Sequence, residues 1–293
     1  MKDSQHKQHL PTSILFAVIA ALGFSMMSLF GKIIGDRAST ETVLFARFAI
    51  SLIILIPWII KHPHAALKVA HPKKLLWRSC FSLLSFACFF YALRFISLTN
   101  TLVLNNTFPL FVPIVALIHS QVKTSRKVWL GIIVGFIGVL FVLQPDVHVF
   151  QPYSLVALAS GIFGAIAIVM IRHLTKTVST LQILFYYFVF NTVVTAIALP
   201  FQWQSISSDI FMLLLGVGLC GALYQLFSTL CYAKAPVRLI SPILSVVIVS
   251  TGLLADFFFW HQFPNFWGCI GIFCIVLGGS LSIYFGQKEL ASR

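Results

Sequence analysis

The chain has 293 residues, of which 59% are hydrophobic and only 9% are charged. So little charge excludes an ordinary soluble domain and predicts an all-α membrane protein with many spans. The net charge of +13 would suggest a nucleic-acid partner in a soluble chain. Here the Lys and Arg residues fall in short loops between apolar segments, where they set orientation, so the expected partner is the lipid bilayer and no nucleic acid.

Ten apolar segments are long enough to cross a bilayer as helices. The loops between them are short and leave no room for a soluble domain. A Pro-flanked joint, Gln144-Pro145-Asp146 followed by Pro152, is the best internal boundary, and it predicts two repeats at 12–145 and 153–285. The predicted spans are 12–34, 43–60, 75–93, 98–119, 128–144, 153–171, 182–202, 210–231, 237–256 and 264–285.

The positions of Lys and Arg predict the orientation of the chain. With the N-terminus in the cytoplasm, all basic residues except Lys32, Arg37, Arg47 and Arg94 fall on the cytoplasmic side, and Arg78 is counted among the cytoplasmic ones. This asymmetry predicts that both termini are cytoplasmic.

A shift of 140 residues aligns the two halves of the chain. Each half has five predicted spans, and an odd number means that the second half enters the membrane from the opposite side. Inverted repeats of this kind place a binding site at their interface near the bilayer midplane. Aligned pairs include Thr101 with Ser241, Asn105 with Ser245, Gly131 with Gly271, and Gly138 with Gly278.

Two segments carry a resemblance to a known family. The pattern Phe90-Tyr91-Ala92-Leu93-Arg94-Phe95 closes a span in the first half, and the glycine-rich segment from Gly131 to Pro145 resembles the last span of a repeat. The chain thus resembles the EamA type of the drug/metabolite transporter superfamily. The resemblance implies ten transmembrane helices, the bacterial inner membrane, and alternating access for small metabolites.

The fourth span is unusual because Asn105, Asn106 and Thr107 lie in its middle, followed by Pro109. Pro109 has no N–H, so the carbonyl of Asn105 loses its helical partner. In hydrocarbon such groups must be satisfied by protein, water or ligand. The pattern therefore indicates either a broken substrate-binding helix or a kinked helix whose amides bond to neighbouring helices.

Polar side chains within the spans are the candidate substrate-binding residues. Lys32 has two interpretations, which are anchoring or pairing with Glu41 near the outer surface, and contact with an anion. Arg47 is expected to pair with Glu41 or Asp36. The candidates are Asn105, Asn106, Thr101, Ser245, Ser241, Tyr224, Gln225, Ser228, Tyr91, Ser28 and Lys32.

All seven acidic residues lie near span ends or outside the spans, which disfavours a titrating carboxylate at mid-membrane. The sequence has no H-E-x-x-H, paired membrane aspartates or Walker motif, so we expect no catalytic residue, metal, cofactor or use of ATP. The favoured function is a secondary active or facilitative transporter of small polar metabolites, such as amino acids. The alternatives are an intramembrane enzyme acting on lipid or a buried substrate, and transport of a nucleotide-like or vitamin-like aromatic solute.

Two glycine spacings, Gly31-x-x-x-Gly35 and Gly131-x-x-x-Gly135, permit close approach of helices. Packing within the chain is favoured over a dimer seam, and a monomer is the expected assembly.

Overall fold

The computed structural model of the protein describes residues 10–61, 71–120, 126–143, 152–175, 177–202, 204, 206–234 and 237–291. Within these ranges every regular element is helical, as the composition predicts. Short 3₁₀ turns occur at Gly35–Arg37 and Leu199–Gln202. The α-helices are α1 (Leu10–Ile34), α2 (Thr40–Lys61), α3 (Pro72–Phe95), α4 (Leu98–Asn105), α5 (Phe108–Ser120), α6 (Arg126–Leu143), α7 (Pro152–Leu174), α8 (Thr180–Ala198), α9 (Ser208–Lys234), α10 (Val237–Trp260) and α11 (Phe266–Ala291).

Seven helices in the described part of the chain are long and apolar enough to cross a membrane, and these are α1, α2, α3, α7, α8, α9 and α10. Helices α6 and α11 contain shorter apolar stretches, Lys127–Val142 and Phe266–Leu281. Large apolar side chains such as Ile60, Phe258 and Phe266 are exposed on the outside, where lipid contact explains them. The protein is therefore a multi-span membrane protein.

The predicted fourth span is divided into α4 and α5. Helix α4 ends at Asn105, after which the Asn106 N–H donates to the Leu102 carbonyl (2.9 Å) and the Thr107 N–H donates to the Leu104 carbonyl (3.3 Å). The missing N–H of Pro109 explains why the helical ladder is interrupted here. The interruption expected from the sequence is thus present.

The start of α4 is held by a carboxylate from α10. Asp256 Oδ1 accepts from the Leu98 N–H (3.2 Å) and Oδ2 accepts from the Thr99 N–H (2.7 Å). The first N–H groups of a helix lack partners within the helix and carry positive partial charge, so a carboxylate stabilises them. Asp256 lies near the end of α10, as expected, but protein packing buries it almost completely.

The packing of the helices is reciprocal between the two halves of the chain. Helix α1 packs along α9, and α7 packs along α3 in the same way. Helix α1 also contacts α10, and α7 contacts α4 and α5. Helix α2 contacts α9, and α8 contacts α3 in the corresponding way. The remaining large contacts join α2 to α8 and α6 to α11. Each of these contacts therefore has a counterpart when the first five predicted spans are exchanged with the last five.

Helices α6 and α11 approach each other through glycines. A Cβ atom added to Gly138 would lie 2.6 Å from the Gly271 carbonyl oxygen, and one added to Gly271 would lie 2.7 Å from the Gly138 carbonyl oxygen. A Cβ atom on Gly278 would lie 2.5 Å from the Gly131 carbonyl oxygen. Any larger residue would force these backbones apart, so this glycine motif serves packing within the chain.

Candidate functional site

A small cavity lies among α1, α3, α4, α5, α7 and α9. Its volume is about 70 Å³, whereas a pocket that holds a small molecule typically has about 300–1,000 Å³. The cavity is therefore too small to hold a typical small-molecule ligand as it stands. Its polar lining consists of Arg78, Ser82, Ser85, Asn105, Tyr224, Gln225, Ser228 and Thr229. Its aromatic lining consists of Phe24, Phe86, Phe108 and Tyr224.

One polar face of α3 forms a wall of this cavity. Arg78, Ser82 and Ser85 are spaced four and three residues apart, which places them on the same side of the helix. The Arg78 side chain is 1% exposed, and its guanidinium carbon lies 4.0 Å from the centroid of the Tyr187 ring. Arg78, which the charge count places on the cytoplasmic side, is thus a buried residue that faces inward from the second turn of α3.

Helix α7 joins α3 to the broken span through Ser160. The Ser85 hydroxyl donates to the Ser160 carbonyl (2.8 Å), and the Asn105 amide donates to the Ser160 hydroxyl (2.9 Å). These bonds satisfy polar groups that hydrocarbon cannot satisfy. They also hold the Asn105 side chain at the cavity wall.

The backbone at the break packs directly on Gly161 of α7. A Cβ atom at Gly161 would lie 2.6 Å from the Thr107 hydroxyl, 2.9 Å from the Leu104 carbonyl oxygen and 3.1 Å from the Asn105 carbonyl oxygen. The carbonyl of Asn105, which we expected to be free for a substrate, is therefore turned toward α7. The side chain of Asn105 faces the cavity instead.

Helix α9 supplies the polar wall opposite α3. Tyr224, Gln225 and Ser228, which are predicted from the sequence to bind substrate, all line the cavity. The Tyr224 ring lies 4.8 Å from the Phe24 ring and 6.4 Å from the Phe86 ring, measured between centroids. The cavity thus has amide and hydroxyl groups beside a cluster of aromatic rings.

Two other candidates lie away from the cavity. Lys32 Nζ donates to the carbonyls of Leu93 (2.9 Å) and Ile96 (2.6 Å), so it neutralises the C-terminal end of α3 rather than pairing with Glu41. Tyr91 is 42% exposed on the outer surface, beside Tyr153.

The remaining candidate residues either form hydrogen bonds within their own helices or lie on α10. Thr101, Asn106 and Ser28 each donate to a carbonyl one turn earlier, at 2.8, 3.0 and 2.7 Å respectively. Ser245 is buried in α10, which contributes none of the described residues of the cavity wall. Ser241 also belongs to α10, but its side chain lies outside the described part of the structure.

Arg47 does not make the ion pair expected for it. Its side chain is 1% exposed, and its guanidinium carbon lies 3.1 Å from the centroid of the Phe86 ring. It extends toward α9, where a Cβ atom on Gly221 would lie 3.1 Å from Arg47 Cγ. Asp36 instead pairs with Arg94 at 2.8 Å. Because the Arg47 side chain points inward, it pairs with neither of its predicted partners, Glu41 and Asp36.

Comparison with known proteins identifies the family. Residues 11–144 and 151–284 each match the EamA-like transporter family. The pseudopaline exporter of Pseudomonas aeruginosa is 27% identical over 261 residues, which cover 87% of this chain and 90% of that protein. The S-adenosylmethionine uptake transporter of Rickettsia prowazekii is 25% identical over 290 residues and covers 96% and 95% of the two chains.

A solved crystal structure shares the fold, with a TM-score of 0.67 at 14% sequence identity over 95% of this chain and 99% of that one. Both halves of this chain match the same family. The protein therefore belongs to the EamA-like transporter family.

Proposed function

We propose that the protein is a secondary active or facilitative carrier of small polar metabolites, such as amino acids or related solutes, across the bacterial inner membrane. The observation that carries this proposal is a cavity built by both family-matched segments. Arg78 and Asn105 come from the first segment, and Gln225 and Ser228 come from the second. A site shared between two halves can be opened to either side when the halves move relative to each other.

The reciprocal packing of the helices supports an inverted repeat. The contact of α1 with α9 corresponds to that of α7 with α3, and the glycine contacts between α6 and α11 occur in two matching sets. Five spans in each half would place the halves in opposite orientations. With both termini cytoplasmic, the cavity would lie at their common interface near the midplane.

The small cavity and the broken span favour alternating access. A cavity of about 70 Å³ is too small for a metabolite, so the helices around it must separate before a solute can bind. The interruption between Asn105 and Phe108 is a place where the chain can bend without breaking further helical bonds. Relatives named for export and for uptake support either direction of transport.

The aromatic wall favours a second class of substrate. Phe24, Phe86, Phe108 and Tyr224 offer ring faces and edges on which a flat solute can stack. A nucleotide-like or vitamin-like aromatic solute would use these rings together with the amides of Asn105 and Gln225.

Counterflow in proteoliposomes tests the proposed function. Vesicles with the purified protein are loaded with one unlabelled metabolite at a time, and entry of the labelled form is followed. A carrier gives transient accumulation that saturates, and Gln225→Ala should reduce it. Gln262→Ala is the matched control, because Gln262 is exposed beyond α10. Absence of saturable exchange for every amino acid and nucleoside tested, with folded protein in the vesicles, would contradict the proposal.

A further inference from the structure

Two arginines are buried in the described structure without an acidic partner. Arg47 of α2 and Arg78 of α3 are each 1% exposed. Arg47 Nη1 and Nη2, and Arg78 Nε and Nη1, have no hydrogen-bond partner among the described residues. A buried charge without a partner is strongly destabilising, so the presence of two such charges in the same cluster requires an explanation.

Aromatic rings stabilise both cations but leave their N–H groups unused. Arg47 lies over Phe86, and Arg78 lies over Tyr187. The rings of Phe48 and Tyr187 meet edge to face at 5.5 Å and connect the two arginines. We call these five residues the arginine cluster. Contacts between cations and rings stabilise the charge, but they do not satisfy donors in the plane of a guanidinium.

Further unpartnered polar groups belong to the cluster or lie one helical turn from it. The Tyr187 hydroxyl and the Asn191 amide, one turn apart on α8, also have no hydrogen-bond partner among the described residues. Unused N–H and O–H donors beside two positive charges are complementary to an anion, since Arg binds carboxylates through two parallel hydrogen bonds.

The cluster can be reached from the cavity. Arg78 and Phe86 line the cavity wall, and Arg47 lies directly behind Phe86. An anionic group entering the cavity would therefore contact Arg78 first. The charge of Arg47 would lie behind the Phe86 ring. Asn105 and Gln225 would remain available for another part of the same solute.

We infer that the arginine cluster is an anion site that binds a carboxylate of the transported solute, with Arg78 in direct contact and Arg47 reinforcing it. This inference rests on the proposed carrier function for the identity of the solute. A small inorganic anion has the same chemistry, and the experiment below separates the two sources.

The experiment measures ligand-dependent melting temperatures of the purified protein in lipid nanodiscs and chloride-free HEPES buffer. The probes are benzoate, which combines a ring with a carboxylate, benzamide, which has the same shape without charge, and chloride. The variants are Arg78→Gln and Arg47→Gln. Arg94→Gln is the matched control, because Arg94 forms a more exposed ion pair with Asp36.

We expect benzoate to raise the melting temperature of the wild type and of Arg94→Gln, and benzamide to have no effect. Arg78→Gln should abolish the benzoate shift, and Arg47→Gln should weaken benzoate binding at least tenfold. A shift with chloride alone that is lost in Arg78→Gln would support the anion site and assign it to an inorganic anion. Absence of any shift, or shifts that survive in both variants, would overturn the inference.

Stability of the ligand-free variants separates a binding role from a structural one. Because Arg78→Gln removes a buried unpaired charge, its ligand-free melting temperature should equal or exceed that of the wild type. A lower melting temperature with the benzoate shift retained would overturn the inference. If Arg78→Gln does not fold, Arg78→Lys carries the test, since it keeps the charge but loses the two parallel hydrogen bonds and should bind at least tenfold more weakly.

Failure of the inference can be distinguished from failure of the proposed function. Binding of benzoate through Arg78 without counterflow of any solute would refute only the carrier function. Counterflow of an uncharged solute that Arg78→Gln leaves unchanged would refute only the anion site.

Discussion

The Asn105 amide donates a 2.9 Å hydrogen bond to the Ser160 hydroxyl, so the point where the fourth span breaks is tied to α7 at the cavity wall. The side chain of its neighbour Asn106 instead donates to the Leu102 carbonyl of its own helix. Two adjacent amides thus have different surroundings, and this difference allows a direct test of the site.

Asn105→Ala is expected to weaken solute binding about two- to tenfold, because a lost hydrogen bond typically costs about 0.5–1.5 kcal/mol. Asn106→Ala should lower the melting temperature while the KM for transport stays unchanged. Initial rates in proteoliposomes and thermal unfolding of both variants provide the measurements. An equal change in KM for the two variants would remove Asn105 from the proposed site.

Gly278→Ala is expected to lower the free energy of unfolding by about 1–3 kcal/mol, the usual cost of overpacking. The new Cβ atom would meet the Gly131 carbonyl oxygen and the Gly135 backbone, which cannot yield without separating α6 from α11. Gly279→Ala is the control, because its Cβ atom would meet only the Pro109 ring, at 3.3 Å. Thermal unfolding of the two variants should differ clearly, and similar values would contradict this account of the helix contact.

Asp256→Ala is expected to cost at least the loss of a helix cap, about 0.5–2 kcal/mol, because the N–H groups of Leu98 and Thr99 would be left buried without an acceptor. Asp256→Asn keeps one acceptor oxygen and should be milder. Asp36→Ala is the control, since the Asp36 side chain is 75% exposed and surface ion pairs contribute about 0–1 kcal/mol. Equal melting temperatures for the two alanine variants would show that the cap is unimportant.

The orientation proposed from the Lys and Arg distribution can be tested by cysteine labelling. In a background without the six native cysteines, Asp209→Cys should react with an impermeant reagent added from outside, and Lys127→Cys should not. The Asp209 side chain is 61% exposed and Lys127 is also exposed, so reaction depends on the side of the membrane rather than on burial. The reverse pattern of labelling would place both termini outside.

The helices and the interruption at Asn105 could be predicted because both depend on local chemistry. The length of an apolar run determines whether it can span the membrane, and a proline removes a specific hydrogen bond whatever surrounds it. Helix α3, predicted at 75–93, is observed at Pro72–Phe95. The glycines of α6 were predictable for the same reason, since only a residue without a side chain allows backbones to touch.

The composition of the cavity wall was harder to predict because it depends on how each helix is rotated about its own axis. Ser245 and Gln225 both lie in apolar spans, but packing turns only Gln225 toward the cavity. Arg78 was missed because an arginine near the start of a span looks like a loop residue in a count of charges. Its spacing from Ser82 and Ser85 was a signal that could have identified a polar face.

The buried arginines also affect how the chain is assembled in the bilayer. An arginine within a span raises the free energy of inserting that span into the bilayer, and α3 has the lowest mean hydropathy of the seven candidate spans. The helix that packs most extensively against α3 is α7, which follows it in the chain and is therefore synthesised later. Stable insertion of α3 is therefore expected to wait for translation of the second half, so that biogenesis of the first five spans is completed only after their partners emerge from the ribosome.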